Sequence, residues 1–238
     1  SSAYHNTSGI RNIAIGSNSL FFNQTGNYNT AVGTSSMEGA SGQNHHNNSS
    51  LGYHSLKNIT TGQNNSCIGF RSGFSNTTGF RNQYFGYQSG YYGTTGRSNI
   101  AIGYNSQQGV SGSTTGNYNV SLGENTLSSL TSGGNNFVVG SNAGLSLTSG
   151  EYNIILGALS GDALTSTSNT VIIGRASGSA INSTNANGSV LIGSYAGNAL
   201  TSASNTVAIG MDAMAEHTTG DFNTVVGSSA MSLSLIHI

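Results

Sequence analysis

An apolar residue followed by glycine recurs along the whole chain, and this step organises everything else. The glycines are Gly16, Gly33, Gly52, Gly69, Gly86, Gly103, Gly123, Gly140, Gly157, Gly174, Gly193, Gly210 and Gly227. Nine of the twelve intervals between them are 17 residues; the others are 19, 20 and 19. A fixed period of this size marks a stacked repeat array, in which no repeat can bury its apolar face alone. Aligned on this anchor glycine, the residue just before it (column −1) is apolar in every coil, from Ile15 and Val32 to Ile209 and Val226. Column −3 is apolar in eight coils, for example Ile13, Ile100, Val171 and Val207. Residues two apart in a strand share a face. Columns −3 and −1 therefore predict a short strand with its aliphatic face turned into the coil.

Other columns add a layered plan. Asn occupies column −4 in ten coils, including Asn12, Asn29, Asn65 and Asn153, and predicts a hydrogen-bonded ladder. A second Gly stands at column −7 in nine coils, usually after Thr or Ser, as in Thr61-Gly62 and Thr78-Gly79. It reads as a turn glycine chosen for positive φ. Column +3 is always small, from Ser19 and Ser55 to Ala196 and Ala230. It predicts a second strand packed tightly on the first. The expected fold is all-β: a parallel β-solenoid of about 13 coils of ~17 residues, two short strands each, spaced about 4.8 Å apart. The array spans 9–230, with a partial coil at 1–8 and a non-repeat tail at 231–238. The three longer coils place their extra residues in surface turns, around His45-His46, Gln107-Gln108 and Asn182–Asn187.

Column −2 then falls between two inward columns and is expected to face outward. It holds Ala14, Ala31, Ala101, Val138, Ile155, Ile172, Leu191, Ala208 and Val225, along with Ser50, Cys67, Tyr84 and Ser121. An uncharged outward row asks for a cover. Three copies about one axis would supply it, which makes these residues trimer-interface candidates. A monomer with a flat apolar face is the alternative.

Composition narrows the function. Charged residues are 5% of the chain, there is no Pro or Trp, and the formal net charge is −1. The absence of Pro suits a continuous hydrogen-bonded ladder. Six Lys and Arg scattered along the chain make no phosphate-tracking stripe, so nucleic acid is not an expected partner. No apolar run reaches the length of a membrane span, so no membrane insertion is expected. The lone Cys67 sits at a repeat position and reads as a small buried thiol.

The short sequences Asn-Ile-Ala-Ile-Gly (12–16 and 99–103), Asn-Thr-Ala-Val-Gly (29–33) and Asn-Thr-Val-Ala-Ile-Gly (205–210) resemble the head repeats of trimeric autotransporter adhesins. They are also similar to the repeats of phage and bacterial tail-fibre-like proteins. The resemblance covers roughly 9–230. It implies a left-handed parallel β-roll, trimerisation and attachment to host or matrix surfaces. The period departs from the shorter adhesin repeat, so the tail-fibre type fits better. The anchor, stalk or self-cleaving chaperone of such proteins has no counterpart here, and the chain reads as a fragment. Its last residues, Ser-Leu-Ser-Leu-Ile-His-Ile, resemble translated sequencing-adapter read-through; a native capping strand is the alternative.

The expected function is a non-enzymatic surface adhesin or tail-fibre segment at the cell surface or on a virion fibre. Its expected partners are two further copies of itself and a cell-surface glycan or protein receptor. An ice-binding solenoid and a purely structural spacer are alternatives. The candidate ligand contacts are aromatic. Tyr53, Phe70, Tyr87 and Tyr104 occupy column +1 in four consecutive coils, with Tyr91 and Tyr92 nearby. They could form a platform for sugar rings. They could instead turn inward to fill space beside the polar Ser49, Ser66 and Gln83. Tyr28, Tyr118, Tyr152 and Phe222 read as corner packing. The six histidines lack ligand spacing, though His45, His46 and His54 could meet across a coil; no metal or cofactor is expected. No Asp or Glu recurs in one column of adjacent coils, and no catalytic residue is assigned.

Overall fold

The computed structural model describes residues 1–112, 114–182 and 186–232. The chain divides into two compact units, Ser1–Tyr118 and Asn119–Ile238. Each is a parallel β-solenoid. The first carries β1 (Ile13–Ile15), β2 (Thr30–Val32), β3 (Ser49–Leu51), β4 (Ser66–Ile68), β5 (Gln83–Phe85) and β6 (Ile100–Ile102). The second carries β7 (Val120–Leu122), β8 (Phe137–Val139), β9 (Ile154–Leu156), β10 (Val171–Ile173), β11 (Val190–Ile192), β12 (Val207–Ile209) and β13 (Thr224–Val226). Within each unit the strands pair in sequence order, column on column: Ser50 opposes Cys67, which opposes Tyr84. Residues 183–185 of the third long coil and 233–238 of the expected tail lie outside the described residues.

Each coil has one three-residue strand rather than two. The second segment exists, but as a run of turns. Its backbone alternates into the left-handed region at columns +2 and +4, as at His54 (φ 57°) and Leu56 (φ 50°). That alternation is incompatible with an extended strand. The turns still bond coil to coil, Leu56 N–H donating to Ser72 O (2.9 Å) and Arg71 N–H to Tyr53 O (2.9 Å). The small column +3 is buried between these turns and the strand. Its hydroxyls cross the coil to strand carbonyls: Ser55 to Cys67 (3.1 Å), Ser72 to Tyr84 (2.6 Å) and Ser89 to Ala101 (2.8 Å).

The strand has the expected period but the opposite phase. Column −2 is the interior: Ala31, Ala101, Val138, Ile155, Ile172, Leu191 and Ala208 are fully buried, and Val225 nearly so. Ala14, in the first coil, packs against the same core. The eight buried residues face the core and not a neighbouring chain, so they are not trimer-interface residues, and Ala14 packs partly into the core beside them. Columns −3 and −1 face outward, with Ile13, Ile15, Leu51, Ile68, Ile102, Phe137 and Ile154 exposed. The reason lies in column +4, across the coil. In most coils a small column −2 faces a large column +4: Ala31 with Met37, Ser50 with Leu56, Ser121 with Leu127, Ala208 with Met214; Cys67, opposite Gly73, is an exception, its gap filled by Leu56 and Tyr84 of the neighbouring coils. Where column −2 is large, column +4 is Gly in the interior coils: Val138 with Gly144, Ile155 with Gly161, Ile172 with Gly178, Leu191 with Gly197; in the last coil Val225 faces Met231. Column −2 reads as small only because its partner fills the core.

The Asn ladder forms. Asn65 Nδ2 donates to Asn48 Oδ1 (3.0 Å) and to Gly79 O in the next coil (2.9 Å). Its own Oδ1 accepts from the backbone and side chain of Asn82 (3.0 and 3.2 Å). Thr170 closes one ladder by donating its hydroxyl to Asn153 Oδ1 (2.7 Å). The column −7 glycine at Gly62, Gly79 and Gly96 is needed for proximity, not for φ. A Cβ on Gly79 would lie 2.5 Å from Gly96 O. The anchor glycine is constrained twice: Gly86 has φ 138°, and a Cβ there would lie 2.3 Å from Gly103 O. In the long coils, Ala40–Gly42 and Val110–Gly112 are exposed as expected of insertions, whereas His45 and Gln107 are buried.

Candidate functional site

The first unit carries an aromatic surface. Column +1 follows the anchor glycine, so coil stacking brings Tyr53, Phe70, Tyr87 and Tyr104 into one ladder. Successive ring centroids are 5.5, 5.0 and 5.0 Å apart, with interplanar angles of 12°, 8° and 8°. The rings remain exposed. They do not turn inward, because Ser49, Ser66 and Gln83 themselves belong to the outward column −3. A ladder of parallel rings places ring faces against each other, and the outer face of Tyr53 lies on His54 at 3.7 Å. Solvent meets ring edges and phenol oxygens. Within the ladder the platform is therefore edge-on, the rings of Tyr53, Phe70, Tyr87 and Tyr104 covering one another's faces.

A second ladder joins Phe74 to Tyr91 (5.0 Å, 4°), with Tyr92 edge-on to Tyr91 at 4.5 Å. Arg71 links the two ladders, its guanidinium carbon 5.1 Å from the Phe70 centroid and 5.7 Å from Phe74. Such contacts fix a cation at a surface for roughly 0.5–1 kcal/mol each. The corner residues Tyr28, Tyr118, Tyr152 and Phe222 are exposed rather than packed. Arg11 donates to the Tyr28 hydroxyl (2.6 Å), and Arg97 lies 5.5 Å from the Tyr118 centroid.

The two units carry opposite charge, which the scattered appearance of the cations conceals. Arg11, Lys57, Arg71, Arg81 and Arg97 lie in the first unit against Glu38 alone, a formal net of +4. Arg175 stands alone in the second against Glu124, Glu151, Asp162, Asp212, Glu216 and Asp221, a net of −5. Counting by unit, rather than over the whole chain, would have revealed it. Among the described residues Lys57–Glu38 is the one ion pair, at 3.6 Å.

The histidines do not converge. His45 is buried in the turn-glycine column, where burial, with a contribution from His46, pushes its pKa down to about 3. Its Nδ1 lies 3.4 Å from Asn29 Oδ1. His46 Nδ1 accepts from Asn27 N–H (3.1 Å). Burial, then the nearby Lys57 and Arg71 cations, lowers the pKa of His54. Among the described residues no group of three or more His, Cys, Asp or Glu could hold a metal ion. Cys67 is buried, and burial pushes its thiol pKa up, which suppresses the reactive thiolate.

Threonine also forms a ladder. Thr60, Thr77 and Thr94 each donate a hydroxyl to a threonine carbonyl in the following coil (3.0, 3.2 and 3.1 Å). Thr131 and Thr148 do the same in the second unit (2.9 and 2.8 Å). These hydroxyls are committed to bonds between coils.

No protein-family model matches the chain, and neither a curated protein nor a solved structure matches it.

Proposed function

We propose that this chain is a non-enzymatic segment of an extracellular attachment fibre. Three copies associate through the outer faces of their sheets, and the aromatic ladders of the first unit contact the attached surface. The observation that carries this reading is the outward face itself. Columns −3 and −1 expose aliphatic side chains coil after coil and contain no charged residue. Soluble monomers rarely leave a contiguous apolar surface of this kind uncovered. Threefold association covers it without pairing strand edges, and repeated weak contacts along a fibre gain avidity without tight single sites. The repeat resemblance supports the same reading. Light scattering on the purified chain tests it. Three times the chain mass is expected; a monodisperse monomer at micromolar concentration would remove the trimer from the proposal.

A further inference from the structure

One corner of the first unit differs from the rest of the coil surface. Arg81 and Arg97, one coil apart, share the ring of Phe80. Their guanidinium carbons lie 5.7 and 5.9 Å from its centroid, and Arg97 is also 5.5 Å from the centroid of Tyr118. Neither arginine has a carboxylate partner among the described residues. Two cations held on one ring without a counter-charge repel each other, and the +4 balance of the unit adds to the unfavourable field.

Beside this pair lies an open cleft of about 270 Å³, lined by Thr61, Gln63, Asn64, Thr78, Phe80 and Arg81. In the same coils Thr60, Thr77 and Asn65 commit their side chains to the inter-coil ladders. The side chains of Thr61, Gln63, Asn64 and Thr78, and the Arg81 guanidinium, make no hydrogen bond or ion pair within the described protein. The cleft thus offers two hydroxyls, two amides and a positioned guanidinium, all unengaged.

We propose that this cleft binds a carboxylate-bearing sugar residue. Arg81 takes the carboxylate, and the Gln63, Asn64, Thr61 and Thr78 side chains take ring hydroxyls. A guanidinium presents paired donors that match a carboxylate, while amides and hydroxyls both donate and accept and so match sugar hydroxyls. Arg97 holds positive charge behind the site. The volume accommodates about one sugar ring, a small site on the scale of ligand pockets. The inference rests on the attachment reading for its purpose, but the binding belongs to the cleft.

The test is amide chemical-shift titration of the full chain with tri-galacturonate, with sialyllactose, and with neutral galactotriose. Saturable shifts at Phe80, Arg81 and Asn64 are expected with at least one acidic probe, weakening on going from low to high salt, and none with galactotriose. Which acidic probe binds identifies uronic or sialic acid as the source of the carboxylate. Arg81→Gln should weaken binding by about tenfold or more, the scale of one lost charge-assisted hydrogen bond. Asn64→Ala should weaken it less, and the exposed Arg175→Gln should leave it unchanged. No response to either acidic probe, an equal response to galactotriose, or an unaltered Arg81→Gln would overturn the proposal. A chain that binds an acidic probe but stays monomeric would remove the trimer from the fibre reading and leave the cleft standing. A trimer with a silent cleft would do the reverse.

Discussion

The ring of Tyr84 occupies the space that a side chain on Gly90 would need: a Cβ built on Gly90 would lie 2.6 Å from its ring carbons. Tyr84 is the bulkiest residue of column −2, and it is buried. Its coil has Gly at both column +4 (Gly90) and column +7 (Gly93), where a Cβ would be 3.3 Å from the Tyr84 hydroxyl oxygen. Each coil thus fills one fixed interior from the strand side or from the turn side. Tyr84→Ala should cost about 3–5 kcal/mol through the cavity it leaves. Gly90→Leu should also be strongly destabilising, by overpacking. The double change rebuilds the Ala31–Met37 type of coil, and chemical denaturation should find it more stable than either single variant.

The Asn ladder predicts a ranked series at Asn82. Its Oδ1 accepts from the backbone and side chain of Asn99 (3.0 and 3.1 Å), and its Nδ2 donates to Gly96 O (2.8 Å). Asn82→Ala strands these partners in a buried row, at about 1–3 kcal/mol per unsatisfied group. Asn82→Thr should cost less, because Thr170 already serves at this column through its hydroxyl. Denaturation midpoints of the two variants should fall in that order.

Much of this was legible in the sequence, and the errors share one cause. The period, the coil count, the Asn ladder and the small buried column +3 follow from columns read one at a time. The phase of the strand does not. Ile15 and Ile68 are more apolar than Ala31 and Ser50, so hydrophobicity alone turns the aliphatics inward. Only the pairing of Ala31 with Met37 and of Ile155 with Gly161, read across the coil, shows which column shares the core. The same phase reading favoured turning the aromatic ladder inward, but Ser66 and Gln83 face outward, so there is no interior gap for Phe70 or Tyr87 to fill, and the rings are exposed. Regular positive φ at residues such as His54 and Leu56 has no glycine signature, so the turn segment reads as a strand. The basic corner at Arg81 and Arg97 was hidden because the net charge of the whole chain cancels.

His45 gives a pH dependence with a definite sign. Its pKa is about 3 in the folded chain, against an ordinary value near 6.5 once unfolded. The unfolded state therefore binds the extra proton between these values. The His45 contribution is intact above pH 6.5 and declines as pH falls toward 3, at up to about 1.4 kcal/mol per unit. His45→Gly, which restores the residue common at this column, should flatten that part of the stability profile. Urea melts of both proteins between pH 4 and 8 measure it, and parallel slopes would count against a buried neutral imidazole.

Two adjacent residues of β6 separate folding from assembly. Ala101 is fully buried, whereas Ile102 is exposed on the outward face. Ala101→Lys puts an unpaired charge into the core, where desolvation costs several kcal/mol, and the first unit should fail to fold. Ile102→Lys keeps its charge in water and should shift stability by less than about 1 kcal/mol. In a trimer built on columns −3 and −1, however, the same lysine meets two copies of itself at a desolvated contact. Ile102→Lys should then remain folded by circular dichroism while light scattering reports a monomer. A folded Ile102→Lys protein that keeps the trimer mass would place the contact on another face.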